Sequence, residues 1–443
     1  MSKRSIPILM LGMTWMFAAF GENADISHIL TSRWAVGLEN SETQVLDLSW
    51  QPEIRRHFGD GGRLVGIGQL RYLPQPGTRP GDMVRGSYAP ASRPVLLGDN
   101  ATLDLREFYY ERSYDDWYVV VGKQQIVWGT ADGLKVLDVV NPQSFREFIL
   151  EDFDQSRIPL WTINFERSID RWLGGDWVLQ LLWIPDRTYH ALPDRGASYA
   201  FTSPRVVPQV PAGISVELRD PRRPDRLFRD SDAGLRLTGF LGGWDLSFNY
   251  LYQYYNQPVL HQNVVQGSLT QVEVVPRYHR THVIGGTFSR AFGDWVVRGE
   301  LGYFSNRFFI TGNPLLSEGV ASSTELSAMM GLDWSGFQDT FVSVQLFRSH
   351  LPAYRKEIVR PQTDINFTVM MRHQFLSDTL ETSLLWVANM HDDDGIVRPR
   401  ISYDFLDNAK SWLGADIFYG TSRGLFGQFS NNDRLLLGVE IGI

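Results

Sequence analysis

The sequence predicts an all-β fold: an antiparallel transmembrane barrel of about eighteen strands, with sixteen as the alternative, and a long inward-folded loop bearing a short helix. Three observations lead there. Segments along most of the chain alternate apolar with polar or small residues, connectors alternate short with long, and the alternation continues to the last residue. Successive side chains of a strand point to opposite faces, so a period of two gives each segment one apolar and one wet face.

The N-terminus comes first. Lys3 and Arg4 precede an uncharged apolar run from Ile6 to Phe20, and Ala19, Phe20 and Gly21 offer small residues for cleavage, with Ala24 as a second choice. This is the layout of a secretory signal peptide over residues 1–21, leaving a single barrel domain over 22–443. A membrane anchor needs roughly 20 apolar residues, more than this run supplies. The chain has no Cys, which removes lipid acylation, disulfides and thiolate metal sites from consideration. A net charge of −8 without a basic stripe argues against nucleic acid.

The strands are clearest in the second half. Trp244, Leu246, Phe248, Tyr250 and Tyr252 share one face, opposite Asp245, Ser247, Asn249 and Gln253. Trp295, Val297, Leu301 and Tyr303 oppose Arg298 and Glu300, and Ile365, Phe367, Val369 and Met371 oppose Asp364, Asn366, Thr368 and Arg372. On this parity Ser247 and Thr368 face a wet lumen that tolerates a charge. The first strand is placed at 33–39. Short turns fall at 59–62, 114–116, 242–243, 292–294, 336–339, 376–378 and 407–408, and long loops at 74–100, 130–155, 186–228, 257–270 and 309–322. Outer-membrane barrels alternate short periplasmic turns with long external loops in this way. Pro52, Pro159, Pro276 and Pro399 cannot donate to a ladder and mark bulges or rims.

A soluble sandwich also alternates, but its outer face carries Lys, Glu and Thr. Here aromatics make up 13% of the chain, and Trp244, Trp295, Trp334 and Tyr403 stand near strand ends, as in interfacial girdles. Leu435, Leu437, Val439 and Ile441 then alternate with Arg434, Gly438 and Glu440 up to Ile443. This resembles the closing strand by which assembly machinery recognises such barrels, although those usually end in Phe or Trp.

The segment 103–165 is the densest. It contains Gly122, Lys123, Gln124 and Gln125, then Trp128 and Gly129, Leu134 to Asp138, Asn141 and Pro142, and finally Arg157 to Trp161. Asn141 and Pro142 suit a helix start, with Phe145, Phe148 and Ile149 as an apolar stripe. Such a helix fits better against the lumen wall than at an exposed tip. Its carboxylates Glu147, Glu151, Asp152 and Asp154 would then hang over the bore, opposite Arg106, Arg112 and Arg372. Lys123, Arg298 and Glu300 join the candidate lumen and constriction residues. Basic and acidic lumen positions (Arg348, Arg398 and Arg400 against Asp47, Glu325 and Asp416, for example) are near balance, unlike a pore selective for one sign.

Over 105–165 the sequence resembles an uncharacterised proteobacterial family of outer-membrane barrels known only as a domain of unknown function. It is more distantly similar to alginate-export-type channels. The resemblance spans most of the mature chain. It implies a large single-chain barrel in the Gram-negative outer membrane, passing a small solute or hydrophobic compound, in relatives often linked with inner-membrane exporters of the resistance-nodulation-division type. The expected partners are outer-membrane lipid, the assembly machinery and an inner-membrane exporter or periplasmic protein. No catalytic residues carry over.

The nine His residues are scattered and form no nucleophile constellation, so no enzyme, cofactor or metal is expected. His391, Asp392, Asp393 and Asp394 read as a solvated loop tip. The alternative function is a surface-binding or adhesion barrel with a closed lumen. Fractionation is expected to return a heat-modifiable outer-membrane protein whose N-terminal sequencing starts at Glu22 or Asp25. Recovery as a soluble periplasmic protein would overturn the barrel.

Overall fold

The computed structural model describes residues 24–443 except 60, 173–174, 211–212, 225, 267–269 and 316. The expected signal peptide lies outside the described residues. Eighteen strands form the wall in chain order. The first nine are Ala24–Gly37, Thr43–His57, Arg63–Tyr72, Ala101–Tyr114, Trp117–Gln124, Leu160–Trp172, Gly175–Ile184, Asp232–Leu241 and Trp244–Tyr254. The remainder are Arg280–Phe292, Trp295–Ile310, Val320–Trp334, Thr340–His350, Thr363–Phe375, Leu380–Asn389, Asp394–Leu406, Ala409–Tyr419 and Arg434–Gly442. Each pairs antiparallel with the next, and the first pairs with the last through Leu30↔Ile441, Trp34↔Leu437 and Gly37↔Arg434. Closure leaves no strand edge to lipid, where no water can satisfy it.

The parity read from sequence holds where the strands are regular. Phe248 and Leu301 are more than half exposed on the outside, whereas Asn249 and Glu300 are buried within. Trp295 and Trp334 meet across neighbouring strands, with ring centroids 5.8 Å apart at one rim. Pro52 and Pro399 each open the ladder on one side: pairing jumps from Trp50↔Leu70 to Glu53↔Ile67 and from Val397↔Ile417 to Arg400↔Gly414. Pro159 precedes its strand, and Pro276 lies in an external hairpin rather than in the wall.

Three expectations need correction. The first strand begins at Ala24 rather than at 33, because Asp25 to Ser32 continue the ladder with Thr31–Ser49 and Leu30–Trp50 pairs. The loop expected at 257–270 carries strand Val259–Gln266, which pairs with Thr270–Arg277, and Ser215–Leu218 adds to the latter in parallel. Arg348 alternates outward with Val344 and Leu346, not into the lumen.

The lumen is also drier than its polar parity implies. Ser247 and Thr368 are 3% and 2% exposed, because the segment 125–159 folds inward over that part of the wall. They are not the tolerant sites expected, and Gln374, exposed near the turn side, is a better one. Phe248→Arg or Val369→Arg should impair assembly, since a midplane Arg on the lipid face costs ~2–4 kcal/mol. Gln374→Arg should assemble as the parent does in a heat-modifiability assay; equal defects at all three positions would contradict the parity.

Candidate functional site: the lumen constriction

The chain leaves the wall after Gln124. Strand Trp117–Gln124 stops short of its neighbours, and Gly122 takes φ 138°, a left-handed backbone suited to glycine. From there Ile126, Trp128, Val136, Leu137 and Val140 pack against the inward side chains Leu182, Leu251, Val283, Phe304, Met329 and Phe347. Gly285 and Gly302 make room for Leu137: a Cβ on either would come within 2.6 and 3.2 Å of Leu137 Cδ2.

Glu300 fastens this segment. Its carboxylate accepts the backbone N–H groups of Thr130, Ala131 (2.8 Å) and Leu137 (2.9 Å), and the Thr130 hydroxyl at 3.1 Å. Beside it Arg298 donates to Thr130 O and Asp132, and is paired with Asp333 at 2.9 Å. Gln345 Oε1 accepts the Asp132 N–H and its Nε2 donates to Asp132 Oδ2, both at 3.0 Å.

The far end of the segment carries the expected carboxylates, but they do not hang over an open bore. Glu147, fully buried, joins Arg33 (2.8 Å) and Arg434 (2.9 Å). Arg434 continues to Asp416 (2.7 Å), and Asp416 to Arg398 (2.8 Å). On the other side Arg33 meets Asp47 (2.6 Å), Asp47 meets Arg71 (2.7 Å), and Arg71 meets Glu151 (2.5 Å). Burial would raise the Glu147 carboxyl, but Arg33 and Arg434 outweigh it and hold it at about 2. With its value depressed, its contribution to docking is complete above the ordinary carboxylate range and fades only as pH falls through about 2.

The segment is not helical at Asn141. The Asn141 side chain bridges chain instead, accepting the Ile126 N–H at 2.7 Å and donating to Ile158 O at 2.8 Å. Phe148 turns through φ 55°, and the helix is the single turn Phe153–Ser156. Arg106 holds that turn by donating to the carbonyls of Asp154 (2.8 Å) and Arg157 (3.2 Å). A bulge at the same residue, where pairing skips from Glu107↔Ile67 to Leu105↔Gly68, reverses the parity beyond it. Arg112 therefore falls on the outer face with Phe108 and Tyr110, its guanidinium 4.4 Å from the Tyr114 ring. Lys123 lines no bore: it is buried on the short strand Trp117–Gln124 and donates to Leu105 O at 2.6 Å. Asp154 is exposed.

The presumed loop tip at 391–394 is also used. Asp392 pairs with Arg205 at 2.7 Å, and buried Asp394 accepts the N–H groups of Phe426 and Gly427. These bonds bring two further external segments inward, where Tyr199, Phe201, Phe426 and Phe429 pack on Phe148. Burial holds His190 at about 3, so it stays neutral and its Nδ1 accepts the Gln143 N–H at 2.9 Å.

Cavities remain on both sides of the constriction. An outer one of ≈ 300 Å³ is lined by Leu134, Val136, Phe145, Ile149, Phe153 and Phe304 among others, and shares Tyr255 and Arg307 with an external vestibule. An inner one of ≈ 290 Å³ is lined by Asp152, Met370, Arg372, Leu385, Arg398, Arg400 and Leu436 among others. Consecutive residues Phe153 and Asp152 thus face opposite cavities, and Leu134 and Leu385 pack into one apolar cluster between them. Arg33 and Arg205 were missed by the sequence reading. Arg33 opened the expected first strand but was not counted among the lumen residues, and Arg205 lies in a loop without periodicity.

An eighteen-stranded closed barrel with a loop folded into its bore is the architecture of outer-membrane porins. The chain belongs to the family described as "Protein of unknown function (DUF1302)", whose model matches residues 95–363. No curated protein is similar to it in sequence. Among solved structures it resembles Acinetobacter baumannii OccAB1, at 9% identity and TM-score 0.52, covering 96% of this chain and 97% of that one. Pseudomonas aeruginosa OpdK with vanillate is similar at 10% identity and TM-score 0.50, covering 96% and 100%. At such identities the likeness is one of fold.

Glu300→Ala removes the acceptor of three loop N–H groups. The variant should assemble but show larger, noisier single-channel conductance than the parent. Unchanged conductance would mean Glu300 does not hold the constriction.

Proposed function

We propose that the protein is a constricted outer-membrane channel for small solutes with a substantial apolar part. The carrying observation is the fastening of 125–159 to the inner wall by Glu300, Arg298 and Gln345, which makes the constriction part of the barrel rather than a mobile external loop. The apolar lining of the outer cavity supports a solute with a hydrophobic body, since a purely hydrated ion gains nothing from Leu134, Phe145, Ile149 and Phe304. A wide, water-filled porin is disfavoured by the same packing.

Removing residues 137–153 deletes the apolar plug and the two carboxylates that bind Arg33, Arg71 and Arg434. In planar bilayers the deletion is expected to raise conductance, and in proteoliposomes to admit bulkier solutes. Normal assembly with unchanged permeability would favour the adhesion reading, in which the bore is closed and the external loops bind a partner.

A further inference from the structure

We propose that the inner cavity is a binding site for a small organic carboxylate with an apolar body, set by Arg372 and Arg400. The proposal rests on the channel reading and names the substrate class of that bore.

Register brings the two arginines together. Arg372 pairs with Ser383, Ser383 with Arg400, and Arg400 with Gly414, so they occupy one row of neighbouring strands. Strands are spaced about 4.8 Å apart, which sets the two arginine backbones roughly 10 Å apart with only a serine between. Long side chains on that row can close on a single anion.

The ion-pair chain above this row is already balanced. Arg33, Arg71, Arg398 and Arg434 meet Asp47, Glu147, Glu151 and Asp416. Arg372 and Arg400 stand outside it. Among the described residues neither has a carboxylate within ion-pair distance, and Arg372 rests over the Phe341 ring at 4.9 Å. The remaining carboxylate on the cavity is Asp152, from the folded-in segment. Two uncommitted guanidiniums thus face one carboxylate across ≈ 290 Å³, whose other walls include Met370, Leu385 and Leu436.

Guanidinium forks match a carboxylate in plane and charge, with Arg400 half-buried and Arg372 exposed to an incoming anion. The apolar wall selects against chloride or inorganic phosphate, which cannot cover Met370, Leu385 and Leu436. Asp152 acts as a built-in competitor for the same arginines: it weakens binding enough for the anion to leave, as conduction requires.

The test is calorimetric binding to the full chain in detergent micelles, with benzoate as probe and benzamide and inorganic phosphate as comparators. Heat-modifiability verifies that each variant has assembled. Benzoate should bind and the other two should not. Arg372→Gln and Arg400→Gln should each weaken benzoate by about tenfold or more, as loss of a charge-assisted bond does, and Asp152→Asn should tighten it. Absence of benzoate binding, equal binding of benzamide, or unchanged affinity in both Gln variants would overturn the site. If a Gln variant fails to assemble, the comparators and Asp152→Asn decide alone. Bilayer currents separate this from the channel reading: binding without current leaves the site and removes the channel, whereas current without benzoate binding does the reverse.

Discussion

The interior of this barrel is organised by one buried carboxylate taking up backbone groups that have no other partner. Once the chain leaves the wall at Gln124, its N–H groups lie in a bore where water is scarce, and an unsatisfied buried donor costs ~1–3 kcal/mol. Glu300 accepts three of them from Thr130, Ala131 and Leu137. That arrangement brings Leu137 down between Gly285 and Gly302 and lets Trp128, Val136 and Val140 close over Leu182, Leu251 and Phe347. The apolar packing and the carboxylate depend on each other. Without the packing Glu300 would be hydrated, and without Glu300 the loop backbone would be unpaired.

The opposite end of the same segment is held by charge instead. Glu147 and Arg434 are both fully buried, so removing either partner leaves an uncompensated ion at a cost of ~3–5 kcal/mol. The chain of pairs from Glu151 through Arg71, Asp47, Arg33, Glu147, Arg434 and Asp416 to Arg398 links wall strands from both ends of the sequence to the folded-in segment. Docking this segment therefore also bridges the seam where the first and last strands meet. The expected row of carboxylates facing arginines across an open bore is replaced by a neutral lattice, with Arg372 and Arg400 left over beneath it.

Wall topology was legible in the sequence because period two, turn chemistry and terminal closure are local signals. Phe248, Leu301, Val369 and Leu437 sit on the lipid face as the alternation requires. The errors have local causes too. One bulge at Arg106 reversed the parity of Arg112, and a bulge leaves little trace in an alternating pattern. Asn141 and Pro142 carry a genuine helix-start pattern, but the Asn141 side chain serves Ile126 and Ile158 instead. The candidate site was half legible. Glu147, Glu151, Arg298, Glu300 and Arg372 were recognised as lumen residues, yet their partners lie up to 287 positions away, as Glu147 does from Arg434, and no periodicity encodes that.

Hydrogen exchange of the assembled protein in native-like membranes addresses the docked segment most directly. Within 126–138, the amides of Thr130, Ala131 and Leu137 are expected to exchange as slowly as the wall strand Trp295–Ile310 that carries Glu300, because they are paired to its carboxylate beneath the packing of Leu137 on Leu251, Phe304 and Phe347. Exchange of 126–138 as rapid as that of an exposed external loop would contradict a constriction locked to the wall.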